Sequence, residues 1–320
     1  MEQTADHAKR PKIDSSTHQD ILALTRMALT EDINSFDLEV ARDCTTLSVV
    51  PNEVAASASF VAREPGVVCG VGLTEIIINE FASELKLETH IGDGQSVKKL
   101  QPIATLNGEA RKILMMERTC LNFMCRLSGI ATRAAQFARL VDGTKAKILD
   151  TRKTMPGWRR IEKHAVACGG GHNHRMGLYD AIMIKDNHLA MYGNHIDNHK
   201  LSVSQAVELA RQWVDKNHAT LPHGKQTIVQ IEVDSLEQLK TALPASPDIV
   251  LLDNMNCQQL SEAVAIRNDL NEGVLLEASG GVNLKTVADI ARTGVERISV
   301  GAITHSASNF DIGLDWTLES

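Results

Sequence analysis

The chain has 320 residues, 43% hydrophobic and 23% charged, enough to bury one large core or two modest ones. A net charge of −7, with only two Tyr and three Trp to stack on bases, argues against broad nucleic-acid binding. No apolar run approaches the roughly 18–20 residues of a membrane-spanning helix, and the first residues lack a signal-peptide apolar segment. The six cysteines, with no Cys-x-x-Cys pair, read as reduced thiols of a cytoplasmic protein, neither a disulfide framework nor a zinc site.

Residues 1–17 are polar and charged and predict a disordered tail, in which Lys9-Arg10-Pro11-Lys12 is too short to read as a targeting signal. Over residues 19–32, Ile21, Leu24 and Ala28 beside Leu22 and Leu29 give the spacing of an amphipathic helix. Residues 54–106 read as β-rich, with strands at 57–62, 67–71 and 103–106 broken by Glu64-Pro65-Gly66 and Asp93-Gly94. Residues 119–140 predict a long helix with Leu121, Met124, Cys125 and Leu127 on its buried side, which makes Cys120 and Cys125 core fillers.

After residue 145 the rhythm changes. Six short apolar runs follow, at 147–150, 181–185, 228–233, 249–253, 274–279 and 297–301, and the last four start 21–25 residues apart. Strands alternating with helices at that interval imply right-handed βαβ units and a parallel sheet. Six strands fall short of the usual eight, which leaves an incomplete barrel or an open sheet. Nearly every run ends in a polar residue, and in such folds active sites form at the carboxyl ends of the strands. One face would then carry Arg152, Lys153, Lys185, Glu232, Asp253 and two glycine turns. The charge pattern agrees. Residues 150–188 hold seven Lys/Arg against four acids, a local +3 in a chain whose remainder carries −10. Such a reversal at chain turns suits a small, multiply charged anion.

Three motifs refine that reading. Ser279-Gly280-Gly281-Val282-Asn283 ends a strand and opens a helix with Leu284, Val287, Ile290 and Ala291 on its apolar face and Asn283 as its N-cap. Val300-Gly301-Ala302 repeats the arrangement one unit later, and paired glycine turns after the last strands are the usual phosphate site of a βα barrel. Glu232 and Asp253 sit in apolar context, where an ionised carboxylate needs a cation. It can be Lys153 or Lys185, or a Mg²⁺ shared with substrate phosphates. His172-Asn173-His174 has the spacing of a metal-ligand pair, but Arg175, Lys185 and His188 close by would repel a dication, so anion recognition by His174 and Arg175 is the stronger reading. His188 reads as a structural histidine.

These segments together resemble the quinolinate phosphoribosyltransferases. The resemblance runs from about Gln19 through Ala62-Arg63-Glu64-Pro65-Gly66-Val67, Glu117-Arg118-Thr119-Cys120-Leu121-Asn122, Leu127-Ser128-Gly129-Ile130-Ala131-Thr132 and Gly143-Thr144-Lys145-Ala146-Lys147-Ile148. It continues through residues 150–154, 169–175 and 184–188, Ile231-Glu232-Val233, Leu252-Asp253-Asn254 and residues 277–282. Two departures stand out. The acid-rich stretch 34–41 precedes Arg42-Asp43-Cys44-Thr45-Thr46 where the family runs more directly into Gly-Asp-x-Thr-Thr, and segment 195–227 is looser and longer than the family core.

The resemblance implies an N-terminal α/β open-face sandwich domain (18–128, joined by the C-terminal segment 305–320) and an incomplete α/β barrel (129–304). It implies a homodimer whose active sites each take an arginine from the neighbour, which Arg118 matches. Arg152, Lys153, His174, Arg175 and Lys185 match the dicarboxylate and phosphate binders, with Thr151 beside them. Glu232 and Asp253 match the acids on the ribose and Mg²⁺ side; with Lys153 they form the implied catalytic set. Ser279, Gly280, Gly281 and Gly301 match the 5′-phosphate loops. The implied reaction joins phosphoribosyl pyrophosphate to the ring nitrogen of quinolinate and releases pyrophosphate and CO₂, with no nucleic-acid or membrane partner. Two other readings remain open: a phosphate-binding barrel isomerase or lyase, which would need one poised general base, and a non-catalytic dicarboxylate-binding homologue.

Overall fold

A computed structural model of the protein describes residues 12–193 and 201–317. Its elements are α1 (Ser15–Ile33), α2 (Cys44–Val49), β1 (Ala55–Ala62), β2 (Gly66–Val67), α3 (Val71–Phe81), β3 (Lys86–Thr89), β4 (Ser96–Val97), β5 (Pro102–Glu109) and α4 (Ala110–Leu140). They continue with β6 (Lys147–Leu149), α5 (Arg159–Cys168), β7 (Ile182–Ile184), α6 (Asp186–Gly193), α7 (Val203–Asn217), β8 (Val229–Val233), α8 (Leu236–Ala242) and β9 (Ile249–Asp253). The last are α9 (Cys257–Leu270), β10 (Leu275–Ser279), α10 (Val287–Arg292), β11 (Arg297–Ser299), α11 (Ala302–His305) and β12 (Ile312–Thr317). Two compact units divide them: residues up to 135 with 154–170 and the C-terminal segment from 303, and residues 136–153 with 171–302. The first unit thus takes in 129–135 and 154–170, which the sequence reading assigns to the barrel.

In the first unit an antiparallel sheet of order β12-β1-β5-β3 puts the C-terminal strand on one edge. Ala58, Phe60 and Ala62 are buried at the two-residue period of a strand with one covered face. Arg126 on α4 ties the C-terminal segment down: its guanidinium donates to Thr304 O (2.7 Å), to Ala307 O (3.0 Å) and to the fully buried Glu162 of α5 (2.7 Å). Gly129 has no room for a side chain, since a Cβ there would lie 2.0 Å from Ser308 O.

Three expectations change in this unit. Ser15–Thr17 belong to α1 and not to a tail, because the Asp14 carboxylate accepts the Thr17 N–H at 2.7 Å and starts the helix there; residues 1–11 lie outside the described residues. The strand expected over 67–71 ends at Val67: Gly70 turns left-handed (φ 106°), the Asp93 carboxylate accepts the Val71 N–H at 2.9 Å, and helix α3 begins. Helix α4 starts at Ala110 and not near 119, so Arg118 lies about two turns inside it instead of preceding it. After the 34–41 stretch, Asp43 accepts the Thr46 N–H at 2.9 Å and caps α2.

In the second unit six parallel strands form one sheet of order β6-β11-β10-β9-β8-β7, each within or beside the apolar run that announced it. The sheet is open between β7 and β6. His172 adds a single bridge at the free edge of β6, its N–H donating to Ile148 O at 2.8 Å. Residues 194–200 lie outside the described residues; beyond them the looser segment forms α7, opened by a Ser202/Gln205 capping box and buried through Ala206, Val207 and Val214. Among the described residues no helix is long and apolar enough to cross a membrane.

Candidate active site

Parallel pairing sets neighbouring residues on one face of a sheet, and the register aligns Lys147, Arg297, Glu277, Leu251 and Glu232 in a single row. One step toward the carboxyl ends, Ser279 pairs with Asp253. Charge is thus concentrated along one face of the second unit, and much of it is compensated internally.

Glu277 is fully buried, which costs several kcal/mol for a carboxylate without a cation. Arg297 Nε donates to its Oε2 at 2.8 Å, and His174 Nε2 lies 3.2 Å from its Oε1. Burial alone would raise this carboxyl, but His174 and Arg297 reverse the effect and hold it down at about 2. His174 is fixed from its other side: the Arg175 N–H donates to Nδ1 at 2.7 Å, and the His174 N–H donates to the Asp150 carboxylate at 2.8 Å. Nδ1 is therefore the acceptor, which leaves Nε2 as the ring atom facing Glu277. Asp150 directly follows β6, so the strand end positions the His172-Asn173-His174 turn.

Arg175 is half-buried, and its guanidinium donates to Ala181 O at 2.9 Å. Burial and the neighbouring Arg152 guanidinium both push its pKa down, and Asp180 opposes them. Two neighbouring guanidiniums are stabilised by an anion. Beside them Thr151 Oγ1 accepts the Lys153 N–H at 3.1 Å.

Lys185, just past β7, pairs with Glu232 of β8 through Nζ and Oε2. Of the two lysines the sequence offered for that acid, it is Lys185. The Lys185 N–H donates to His188 Nδ1 at 2.9 Å, which makes His188 the structural histidine expected. Asp253 Oδ2 accepts from Asn254 Nδ2 at 2.7 Å.

The glycine turn after β10 wraps Asn254. The Asn254 N–H donates to Ser279 O at 2.9 Å, and Gly280 is left-handed (φ 92°) with Asn254 packed where a Cβ would stand. Any side chain at 280 would meet Asn254 Oδ1 at 2.1 Å. Asn283 does not cap a helix as expected. Its carboxamide accepts the Lys285 N–H (2.9 Å) and its carbonyl the Thr286 N–H (3.1 Å), which holds a turn, and α10 begins only at Val287. Gly301 follows β11 and leads into α11.

The second unit thus brings together Thr151, Arg152, Lys153, His174, Arg175, Lys185, Glu232, Asp253, Ser279, Gly280, Gly281 and Gly301 on the strand ends and turns of one sheet. Arg118 belongs to the first unit and is exposed on α4. Sequence reasoning gave no role to Glu277, Arg297 or Asp150. Glu277 carries the same signal as Glu232, a carboxylate inside an apolar run, Leu275-Leu276-Glu277-Ala278.

Comparison with known proteins names the fold. Residues 43–128 match the family described as "Quinolinate phosphoribosyl transferase, N-terminal domain", and residues 130–315 match its "C-terminal domain". The chain is 41% identical over 281 residues to the nicotinate-nucleotide pyrophosphorylase [carboxylating] of Mycobacterium leprae, covering 87% of this chain and 93% of the relative. It is 38% identical over 304 residues to the quinolinate phosphoribosyltransferase [decarboxylating] 1b of Nicotiana tabacum, covering 92% and 82%. Among solved structures, the nicotinate-nucleotide pyrophosphorylase of Francisella tularensis superposes with a TM-score of 0.81 at 34% identity, covering 97% of this chain and all of that one. The isomerase or lyase reading and the non-catalytic reading find no support in these matches.

Proposed function

The chain belongs to the quinolinate phosphoribosyltransferase family, and we propose how its strand ends carry the reaction. The protein is a decarboxylating pentosyltransferase of NAD biosynthesis. It joins the phosphoribosyl group of phosphoribosyl pyrophosphate to the ring nitrogen of quinolinate, giving nicotinate mononucleotide, pyrophosphate and CO₂.

The observation that carries our assignment of roles is the set of cations in the loops of this sheet: Arg152 after β6, Arg175 close enough to feel its charge, and Lys185 after β7. Quinolinate brings two carboxylates, and each charge-assisted hydrogen bond contributes about 1.5–3 kcal/mol. Arg152 and Arg175 receive one carboxylate, and His174 keeps Arg175 in place. Lys185 turns from Glu232 to the second carboxylate, which leaves Glu232 facing the ribose. Lys153 meets the pyrophosphate. The turns at Ser279-Gly280-Gly281 and Gly301 receive the 5′-phosphate on backbone N–H groups.

As the C1′–oxygen bond lengthens, the ribose turns oxocarbenium-like, and Glu232 and Asp253 stabilise it by their opposite charge. The pyridine nitrogen then attacks C1′. The pyridinium so formed stabilises the electron pair left on the ring carbon as the adjacent carboxylate leaves as CO₂, and that carbon then takes a proton from solvent.

The donor set also suits a hard dication. Lys185 and Asn254 engage only Oε2 of Glu232 and Oδ2 of Asp253, so each acid keeps a second oxygen for a cation that completes its shell with substrate phosphates. Bound there, Mg²⁺ would neutralise charge on the departing pyrophosphate. We further propose a homodimer in which Arg118 of the partner subunit completes each site, supported by the exposure of this side chain on α4. Cysteines scattered singly along the chain support a cytoplasmic location.

The test is release of CO₂ from carboxyl-labelled quinolinate, with and without phosphoribosyl pyrophosphate and Mg²⁺. Release that needs both supports the reading. Release without the phosphoribosyl donor, or none with it, refutes it.

A further inference from the structure

The first unit holds a second cluster of chemically able side chains. Cys69 follows β2, Asp93 lies in the loop after β3, and His164 and Cys168 stand one turn apart on α5. Their four ligating atoms all lie within 4.8 Å of one another. Cys69 is 0% exposed, Cys168 and His164 are each 8% exposed, and the Asp93 side chain is 12% exposed. Three chain segments distant in sequence have thus placed two thiols, an imidazole and a carboxylate in one nearly dry space.

We propose that Cys69 Sγ, Asp93 Oδ2, His164 Nε2 and Cys168 Sγ form a closed, four-coordinate structural zinc site. Two thiolates, an imidazole and a carboxylate are the donors zinc selects, and hard cations such as Mg²⁺ do not take thiolate. Zn–S bonds of about 2.3 Å and Zn–N and Zn–O bonds of about 2.0–2.1 Å give tetrahedral edges of about 3.5 Å for N···S and about 3.3 Å for N···O. The His164 Nε2···Cys168 Sγ distance is 3.5 Å and the His164 Nε2···Asp93 Oδ2 distance 3.6 Å. Two edges of the tetrahedron are therefore within a few tenths of an ångström of their bonded lengths.

The outer shell is in place as well. The Val71 N–H donates to Asp93 Oδ1 at 2.9 Å, which turns Oδ2 toward the cluster, and the Gly72 N–H reaches Oδ2 at 3.4 Å. The Cys69 N–H donates to Ser128 Oγ, and that hydroxyl donates back to the Cys69 carbonyl, both at 3.0 Å, fixing the backbone that carries the first thiol. Partners of this kind orient ligands and are costly to lose. Binding would expel the thiol protons to solvent and leave Zn²⁺ with three anionic ligands and one neutral one. Zinc would pin α5 to the loops around α3.

The experiment is metal analysis of the untagged, full-length chain, expressed with zinc and purified without chelator. We expect close to one zinc per chain. Cobalt exchanged into the protein should show thiolate-to-cobalt charge transfer and the visible bands of a tetrahedral ion. In Cys69→Ser and Cys168→Ser, zinc content should fall at least tenfold, and a strong chelator should lower the melting temperature of the wild type but of neither variant. The wild-type measurements stand even where a variant fails to fold. Wild-type protein with less than a tenth of a zinc per chain and no cobalt–thiolate band overturns the site. So does zinc retained in both folded variants, or a Cys69–Cys168 disulfide in unreduced peptide maps.

Discussion

Replacing Glu277 with Gln keeps the shape of the side chain and removes the charge that Arg297 and His174 surround. The size of the effect follows from the carboxyl itself, held at about 2 against an ordinary value of 4.5. At about 1.36 kcal/mol per pKa unit, the depression corresponds to about 3 kcal/mol of stability at neutral pH. Because the folded-state pKa lies below the unfolded one, that stabilisation is complete above about pH 4.5 and is lost as the pH falls toward 2. By about pH 3.5, one pKa unit below the unfolded value, about 1.4 kcal/mol is already gone. Glu277→Gln should therefore be destabilised by about 3 kcal/mol at pH 7, and the gap to wild type should narrow by about 1.4 kcal/mol at pH 3.5. Urea unfolding followed by circular dichroism at several pH values measures both quantities. A gap that stays constant from pH 7 to 3.5 would refute the claim that an ionised carboxylate is what the fold stabilises.

Gly280→Ala places a methyl 2.1 Å from Asn254 Oδ1 at φ 92°, so it should cost roughly 1–3 kcal/mol and raise the KM for phosphoribosyl pyrophosphate. Gly281→Ala, with nothing within 4 Å of its Cβ, should cost only the backbone strain of about 1–2 kcal/mol; thermal melts and steady-state kinetics compare the two. Glu232→Gln and Asp253→Asn should lower kcat far more than quinolinate affinity, since the charge they oppose develops only in the transition state. Glu232→Gln should even tighten quinolinate binding slightly, because Lys185 is released from its partner; calorimetry and single-turnover rates give both numbers. Arg118→Ala and Lys185→Ala homodimers should each be nearly inactive. Refolded together in equal amounts they should regain roughly a quarter of wild-type activity, because half the dimers are mixed and each mixed dimer has one intact site. Mixed dimers verified by mass spectrometry but inactive would place Arg118 outside the partner's site.

What the sequence reveals of this fold follows the physics of each unit. All six parallel strands are legible because a strand buried on both faces must be apolar along its length, and the runs from 147 to 301 keep that character between helices. The first unit hides more. Val67-Val68-Cys69-Gly70-Val71 is apolar throughout, yet only Val67 ends a strand and Val71 begins α3. The decision is made by the Asp93 carboxylate, which lies 22 residues away and caps the new helix. No local pattern records a cap supplied by another loop. The N-terminus of α4 is obscured differently: β5 passes into it without a loop, so no turn residue separates strand period from helix period.

The candidate site divides along the same line. Arg152, Lys153, Lys185, Glu232 and Asp253 are visible because each lies at or just beyond the end of an apolar run, the place where a parallel sheet opens to substrate. Glu277 lies two residues deeper in β10, so the rule that points to strand ends passes over it, although the rule that buried acids need cations applies to it as fully as to Glu232. Its partners are Arg297 on the next strand and His174, some hundred residues earlier, and only the register of β10 with β11 brings the first of them alongside. The cysteines repeat the lesson. Spacing along the chain excludes a Cys-x-x-Cys centre, but Cys69 and Cys168 meet across α3, α5 and the Asp93 loop. Motif spacing detects ligands that share one turn of chain. The His164–Cys168 pair, four residues apart on one helix face, is the only fragment of this cluster that spacing alone could mark, and its two partners are set by tertiary structure.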